Sequence, residues 1–112
     1  MVSKSLVAAS ARPMILALLR KGESYGYRIM LDVAESSGGT MEWSEAMLYP
    51  VLHRLEKEGL IQSHWRVSEE NRMRKYYRLT AEGRREMEAE RSQWMSVHSA
   101  LQKIWRTVEA SE

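Results

Sequence analysis

The chain has no cysteine and no phenylalanine, only two prolines, and no apolar run long enough to cross a bilayer. Each absence excludes something. Without cysteine there is no disulfide framework, no thiol nucleophile and no thiolate metal site. A spanning helix needs about 18 apolar residues in a row, and the opening MVSKSLVAASARP carries no such run, so a soluble, cytoplasmic protein with no membrane partner is expected. No P-loop, HExxH or dinucleotide fingerprint occurs, and His53, His64 and His98 fall on different expected elements, too scattered to converge on a metal. The carboxylates lie beside Arg and Lys on helix faces, where ordinary ion pairing accounts for them. Neither catalysis nor a cofactor is expected.

What is present is unevenly distributed. Net charge is only +2, yet between Leu60 and Arg85 the chain carries Arg66, Arg72, Arg74, Lys75, Arg78, Arg84 and Arg85 against Glu69, Glu70 and Glu82. From Glu86 onward the balance is acidic. Screening confines each charge to roughly 10 Å, so a local basic stripe attracts a polyanion whatever the total. At 112 residues the chain suits one compact domain with an appended element, and its limited core makes dimerisation a natural supplement.

The stretch Ser44 to Ile61, SEAMLYPVLHRLEKEGLI, organises the rest. Ser44 can cap a helix, Leu48, Val51, Leu52 and Leu55 repeat at helical spacing, and Gly59 suits a left-handed C-terminal position. The apolar stripe must face a core. That leaves Ala46, Tyr49, Pro50, His53, Arg54 and Lys57 outward, a small, aromatic and basic face that suits either a DNA groove or water. Pro50 predicts a kink or a later start.

Before it, the pattern predicts a helix from about Ser5 to Lys21, with Leu6, Val7, Met14, Leu18 and Leu19 apolar and Pro13 either kinking it or dividing it near Ser10. A second helix, capped by Ser24, covers YGYRIMLDVAESS and stops at Gly38 and Gly39, and Gly26 in its first turn can permit close backbone approach. TMEW reads as a short β-prone link. After Gly59 the period changes to two: Ile61, Trp65 and Val67 share one face, Tyr77 and Leu79 another, and Arg74, Tyr76 and Arg78 the side opposite these, with SEENRM between as a turn. This is a β-hairpin with a basic edge.

Thr80 then caps a helix from about Ala81 to Val108, in which Met87, Trp94, Leu101 and Val108 recur every seven residues and Val97 and Ile104 fill the intermediate position beside His98 and Trp105. The seam is longer than one small domain can cover. A second copy of the chain is the expected partner, with Met87, Trp94, Val97, Leu101, Ile104, Trp105 and Val108 at the contact.

The fold class that results is mainly α with a small β-hairpin: a winged helix-turn-helix over residues 1–79 and a dimerisation helix over residues 80–112. YGYRI, LYPVLHRLEKEGLI and RKYYRLTAEG, in this order, resemble the PadR family of bacterial transcription regulators, in the small subfamily with a single C-terminal helix. The resemblance implies a winged-helix fold, a homodimer joined through that helix, and repression of a nearby gene, often relieved by phenolic or planar aromatic compounds; two-fold symmetry then makes the expected double-stranded DNA site an inverted repeat. Carried over by position, it places Tyr49 and His53 on the recognition helix and Arg74, Lys75 and Tyr76 on the wing. Together with the outward face of the helix, the expected DNA-contacting set is Ser44, Ala46, Tyr49, His53, Arg54, Lys57, Arg72, Arg74, Lys75 and Tyr76. Two departures stand out: Met47 replaces a common small hydroxyl residue, and the wing turn EENRM lacks the usual glycine. Trp94, with Val97 and His98 beside it, reads either as interface packing or as a platform for a flat aromatic ligand. A winged helix that binds another protein rather than DNA is the alternative.

Overall fold

The computed structural model describes residues 2–111. Helix α1 (Lys4–Arg20) starts where the Ser3 hydroxyl accepts the Leu6 N–H at 3.3 Å. It buries Ala11, Ile15, Leu16 and Leu19, while Leu6, expected in the apolar stripe, is exposed beyond the core's edge. Pro13 does not divide it. Helix α3 (Glu45–Lys57) likewise runs unbroken through Pro50 from a Ser44 cap that accepts the Met47 N–H at 3.2 Å. The carbonyls these prolines leave unpaired belong to Ala9 and Ala46, both exposed, so water can serve them.

Helix α2 (Gly26–Ser36) departs from expectation at its start. Its N-cap is Tyr25, which makes no side-chain capping bond, and Ser24 does not cap at all. Instead Ser24–Tyr25 form a two-residue strand, β1, paired antiparallel with β3 (Met73–Leu79) at Ser24↔Tyr77 and Tyr25↔Tyr76. With β2 (Ile61–Val67) the sheet has the order β1-β3-β2, and β3 is central. The segment between α2 and α3 pairs with no strand, but Met41 and Trp43 from it are buried.

Helix α3 ends in two capping bonds, Leu60 N–H to Leu55 C=O and Gly59 N–H to Glu56 C=O, both 3.0 Å, with Gly59 at φ +80°. This turn holds the last helix. The Thr80 hydroxyl donates to the Gly59 carbonyl at 2.7 Å and accepts the Gly83 N–H at 3.0 Å, so one side chain both caps α4 (Ala81–Ser111) and ties it to the α3–β2 turn. Gly83 lies against the Leu60 backbone, where a Cβ would come within 3.0 Å of the Leu60 carbonyl carbon.

One core results, drawn from Ile15 and Leu16 of α1, Ile29 of α2, Leu48, Leu52 and Leu55 of α3, Ile61 and Tyr77 of the sheet, and Met87 of α4. Met87 therefore packs on its own chain rather than on a second copy, because α1 covers the first third of α4. Across the boundary expected between residues 79 and 80 the packing is continuous, since Gly83 is buried and Met87 joins the core. Arg12 ties three helices at the rim. Its guanidinium donates to both Glu58 oxygens at 2.8 and 3.0 Å and, through Nε, to Glu90 at 2.7 Å. The hydrogen bond from Arg12 holds the Glu58 carboxyl below its usual range, and the same pair raises the Arg12 pKa.

Candidate nucleic-acid interface

Burial of Leu48, Val51, Leu52 and Leu55 fixes the rotation of α3, and the opposite stripe is Ala46, Pro50, His53 and Lys57, all exposed. Arg54 is turned about 80° from this stripe towards α1 and lies near Arg12 and Glu58, at the margin of the face. Ser44 is exposed, with its hydroxyl already engaged in the cap. Tyr49 leans the other way, 42% exposed, with its ring against the backbone of Gly26: a Cβ there would lie 2.9 Å from the Tyr49 Cζ. This close approach sets α2 against α3 in a helix-turn-helix. On the same flank Glu56 accepts from the Ser63 backbone N–H at 3.2 Å and from its hydroxyl, joining α3 to β2. Burial pushes the Tyr77 phenol up to about 12, with Tyr49 and Glu56 adding to the shift, so it stays protonated under this edge.

The hairpin extends beyond the core as a wing. Its turn places Asn71 at φ 59°, in the left-handed region, with the Asn71 N–H bonded to Ser68 C=O at 2.9 Å and the Ser68 N–H to Arg72 C=O at 2.7 Å. Asparagine here performs the conformational role of the glycine that the sequence lacks.

Two residues expected on the outer, DNA-facing side of the wing do other work. Tyr76 is 7% exposed, packed edge-on to Tyr25 at 5.3 Å and covered by the Arg66 guanidinium at 3.9 Å. Arg74 lies 4.3 Å over the Tyr25 ring and 3.8 Å from Glu70, with its Nε buried. Both are drawn in because β1 adds Tyr25 to that face. Arg66, absent from the expected set, stands opposite Arg74 in register and pairs with Glu23, which also lies 3.4 Å from His64. Two arginines directly opposed would repel, and Glu23 and Glu70 offset them. Arg72 is exposed, and Lys75 is half-buried with its Nζ 5.7 Å from the Tyr77 ring centroid.

Beyond Met87 the α4 seam is open. Trp94, Val97, Leu101, Ile104, Trp105 and Val108 are each between 38% and 58% exposed. Trp94 also flanks a groove of about 350 Å³ between α1 and α4, walled by Pro13, Met14, Ala17, Met87 and Met95, with Arg91 at its rim. His98 is exposed on the following turn.

One catalytic spacing does occur in the chain: Gly22, Glu23, Ser24, Tyr25 and Gly26 match G-x-S-x-G on a strand-to-helix turn. Its geometry does not serve a nucleophile. The Ser24 hydroxyl is buried with no hydrogen-bond partner, and His64 pairs with Glu23 rather than with it. Among the described residues no three metal-ligating side chains converge, and no helix is long and apolar enough to cross a membrane.

Residues 15–89 match the model of the transcriptional regulator PadR-like family. The chain belongs to that family. Among solved structures, a transcriptional regulator from Clostridium thermocellum is 30% identical and superimposes with a TM-score of 0.81 over 92% of this chain and 97% of its own. A PadR-like regulator from Bacillus cereus gives 0.80 at 26% identity over 90% of this chain and 96% of its own. The negative transcriptional regulator PadR of Bacillus subtilis is 32% identical over 87 residues, which are 78% of this chain and 46% of that protein. The region matched by the family model takes in α2, α3 and the wing, whereas the seam from Trp94 to Val108 lies outside it. The protein is therefore a PadR-like transcriptional regulator with a mainly helical fold, a small antiparallel sheet and a long C-terminal helix.

Proposed function

We propose that this PadR-like regulator binds double-stranded DNA as a homodimer, inserting α3 into the major groove of each half of an inverted-repeat operator and acting as a ligand-responsive repressor. The observation that carries the reading is the exposed stripe Ala46, Pro50, His53 and Lys57 on a helix whose opposite side is wholly buried, flanked by a projecting wing with Arg72 and Lys75. A major groove admits one α-helix, and small residues on the approach side let its backbone come close to the bases. Tyr49 and His53 supply groups for base edges, while Lys57, Arg72 and Lys75 supply phosphate contacts. Arg54 serves at the margin, and the Ser44 end of α3 offers its backbone donors to a phosphate.

Dimerisation is supported by the open seam. From Trp94 to Val108 the apolar stripe runs about 21 Å along α4, and monomeric proteins seldom leave a continuous stripe of that size in water. Two-fold pairing through it would present two copies of α3, hence the inverted repeat with half-sites about one helical turn apart. Regulation is supported by the groove beside Trp94. A planar aromatic compound stacked there can release DNA only by preferring the spacing of the two halves that does not fit the operator, and a tenfold loss of affinity needs about 1.4 kcal/mol of such preference.

The test compares two substitutions on one DNA fragment. Lys75→Ala should weaken specific and random DNA alike and reduce the salt slope by about one. His53→Ala should lower discrimination between sites by about 1 kcal/mol or more with the slope retained. If neither changes affinity near physiological salt, the winged helix serves as a protein-interaction module.

A further inference from the structure

The wing carries an apolar face that neither the core nor the seam uses. Trp65 is 63% exposed, Met73 60% and Val67 56%, on a hairpin that otherwise has five basic and two acidic residues. The strand register places all three on one side. Ile61 pairs with Leu79, Ser63 with Tyr77, Trp65 with Lys75, and Val67 with Met73. The first two pairs face the core and α3: Ile61, Tyr77 and Leu79 are buried, and Ser63 is bonded to Glu56. The next two pairs continue that face outward, past the end of what α3 covers. Trp65, Val67 and Met73 therefore emerge beside the flank of α3 that carries Tyr49 and Glu56, with Lys75 among them.

Resting on the DNA-binding reading above, we infer that this face is a nonpolar DNA contact, with Trp65 as its principal residue, seated against the sugars and base edges of the duplex next to the groove that α3 enters. Charge selects DNA as the occupant over an apolar protein surface. Lys75 lies directly across from Trp65 and Arg72 follows at the turn, so a surface meeting the tryptophan also meets cations. On the opposite side of the hairpin, Arg66 and Arg74 are held by Glu23 and Glu70, which leaves Lys75 and Arg72 as the cations nearest the apolar face. Apolar side chains placed at a groove make van der Waals contact with sugars and can wedge between base steps, which works best at deformable pyrimidine–purine steps. Such a contact neutralises no phosphate and releases no counterion. Its signature is a loss of affinity that does not depend on salt.

The experiment measures binding of the full chain to one selected DNA fragment from about 50 to about 200 mM salt. It uses the wild type, Trp65→Ala, Trp65→Phe and Lys75→Ala, each checked for an unchanged melting temperature and oligomeric state. Trp65→Ala should bind about tenfold more weakly at every salt concentration, a shift of about 1.4 kcal/mol, with the slope of log affinity against log salt unchanged. Trp65→Phe should recover most of the loss, and Lys75→Ala should instead flatten the slope by about one. Wild-type affinity in Trp65→Ala overturns the inference and gives the face to a protein partner, while leaving the DNA-binding reading intact. A flattened slope in Trp65→Ala also overturns it, because the ring would then act only by placing Lys75. No binding by the wild type overturns both.

Discussion

Replacing Gly83 by alanine tests how α4 is fixed to the DNA-binding unit. Alanine is the better helix former by about 1 kcal/mol, so in an open helix the change would stabilise. Here the new methyl group would collide with the carbonyl oxygen of Leu60 and stand 3.0 Å from the Leu79 Cδ2. The obstacle is backbone, held by the Thr80 N–H at 3.0 Å and by the cap of α3, and it cannot rotate away as a side chain could. Overpacking of this kind costs about 1–3 kcal/mol, and shifting α4 would also weaken the Thr80 bonds to Gly59 and Leu60, at about 1 kcal/mol each. The net expectation is a loss of about 1–4 kcal/mol, a fall in melting temperature on the order of 10 °C. Urea unfolding at one fixed protein concentration measures it, with exposed Ala100→Gly as the reference for propensity alone, expected to cost about 1 kcal/mol. A Gly83→Ala protein as stable as wild type would refute the close approach.

The lowered Glu58 pKa makes the Arg12 clamp pH-dependent. Its contribution is complete above the unfolded carboxylate pKa and is lost as pH falls through the depressed folded value, so wild type should lose stability between about pH 5 and pH 3 more steeply than Glu58→Gln in urea titrations. Equal slopes would contradict this. At the wing turn, Asn71→Gly should be neutral or mildly stabilising and Asn71→Val destabilising by about 1–2 kcal/mol, because φ is 59° there. In the seam, Leu101→Glu should give a monomer or an unfolded chain by analytical ultracentrifugation, and a stable dimer would remove the seam from the interface.

Helix α3 was legible because its signals are local: the Ser44 cap, the apolar spacing and Gly59 at the left-handed C-terminal position all appear in the structure. The hairpin was legible as a hairpin, but alternation marks a face without saying whether anything covers it. Ile61 is buried and Trp65 on the same side is not, since α3 meets the strand at Ser63, through Glu56, and Trp65 lies beyond that contact. Strand β1 was missed because two residues carry no pattern, and their pairing depends on Tyr76 and Tyr77, some fifty positions away. From that one strand follow the burial of Tyr76, the retention of Arg74 over Tyr25 and the loss of the Ser24 cap. The heptad pattern in α4 is continuous, so it could not show that Met87 belongs to α1 and only the later positions are open.

The most direct measurement is selection of fragments from genomic DNA by the purified protein, followed by sequencing of what is retained near physiological salt. The expected result is a small set of fragments sharing an inverted repeat whose half-sites lie about one helical turn apart, with retention falling steeply as salt rises. Retention of no shared sequence, or of fragments no better than random DNA at every salt concentration, would contradict sequence-specific binding by α3 and the wing.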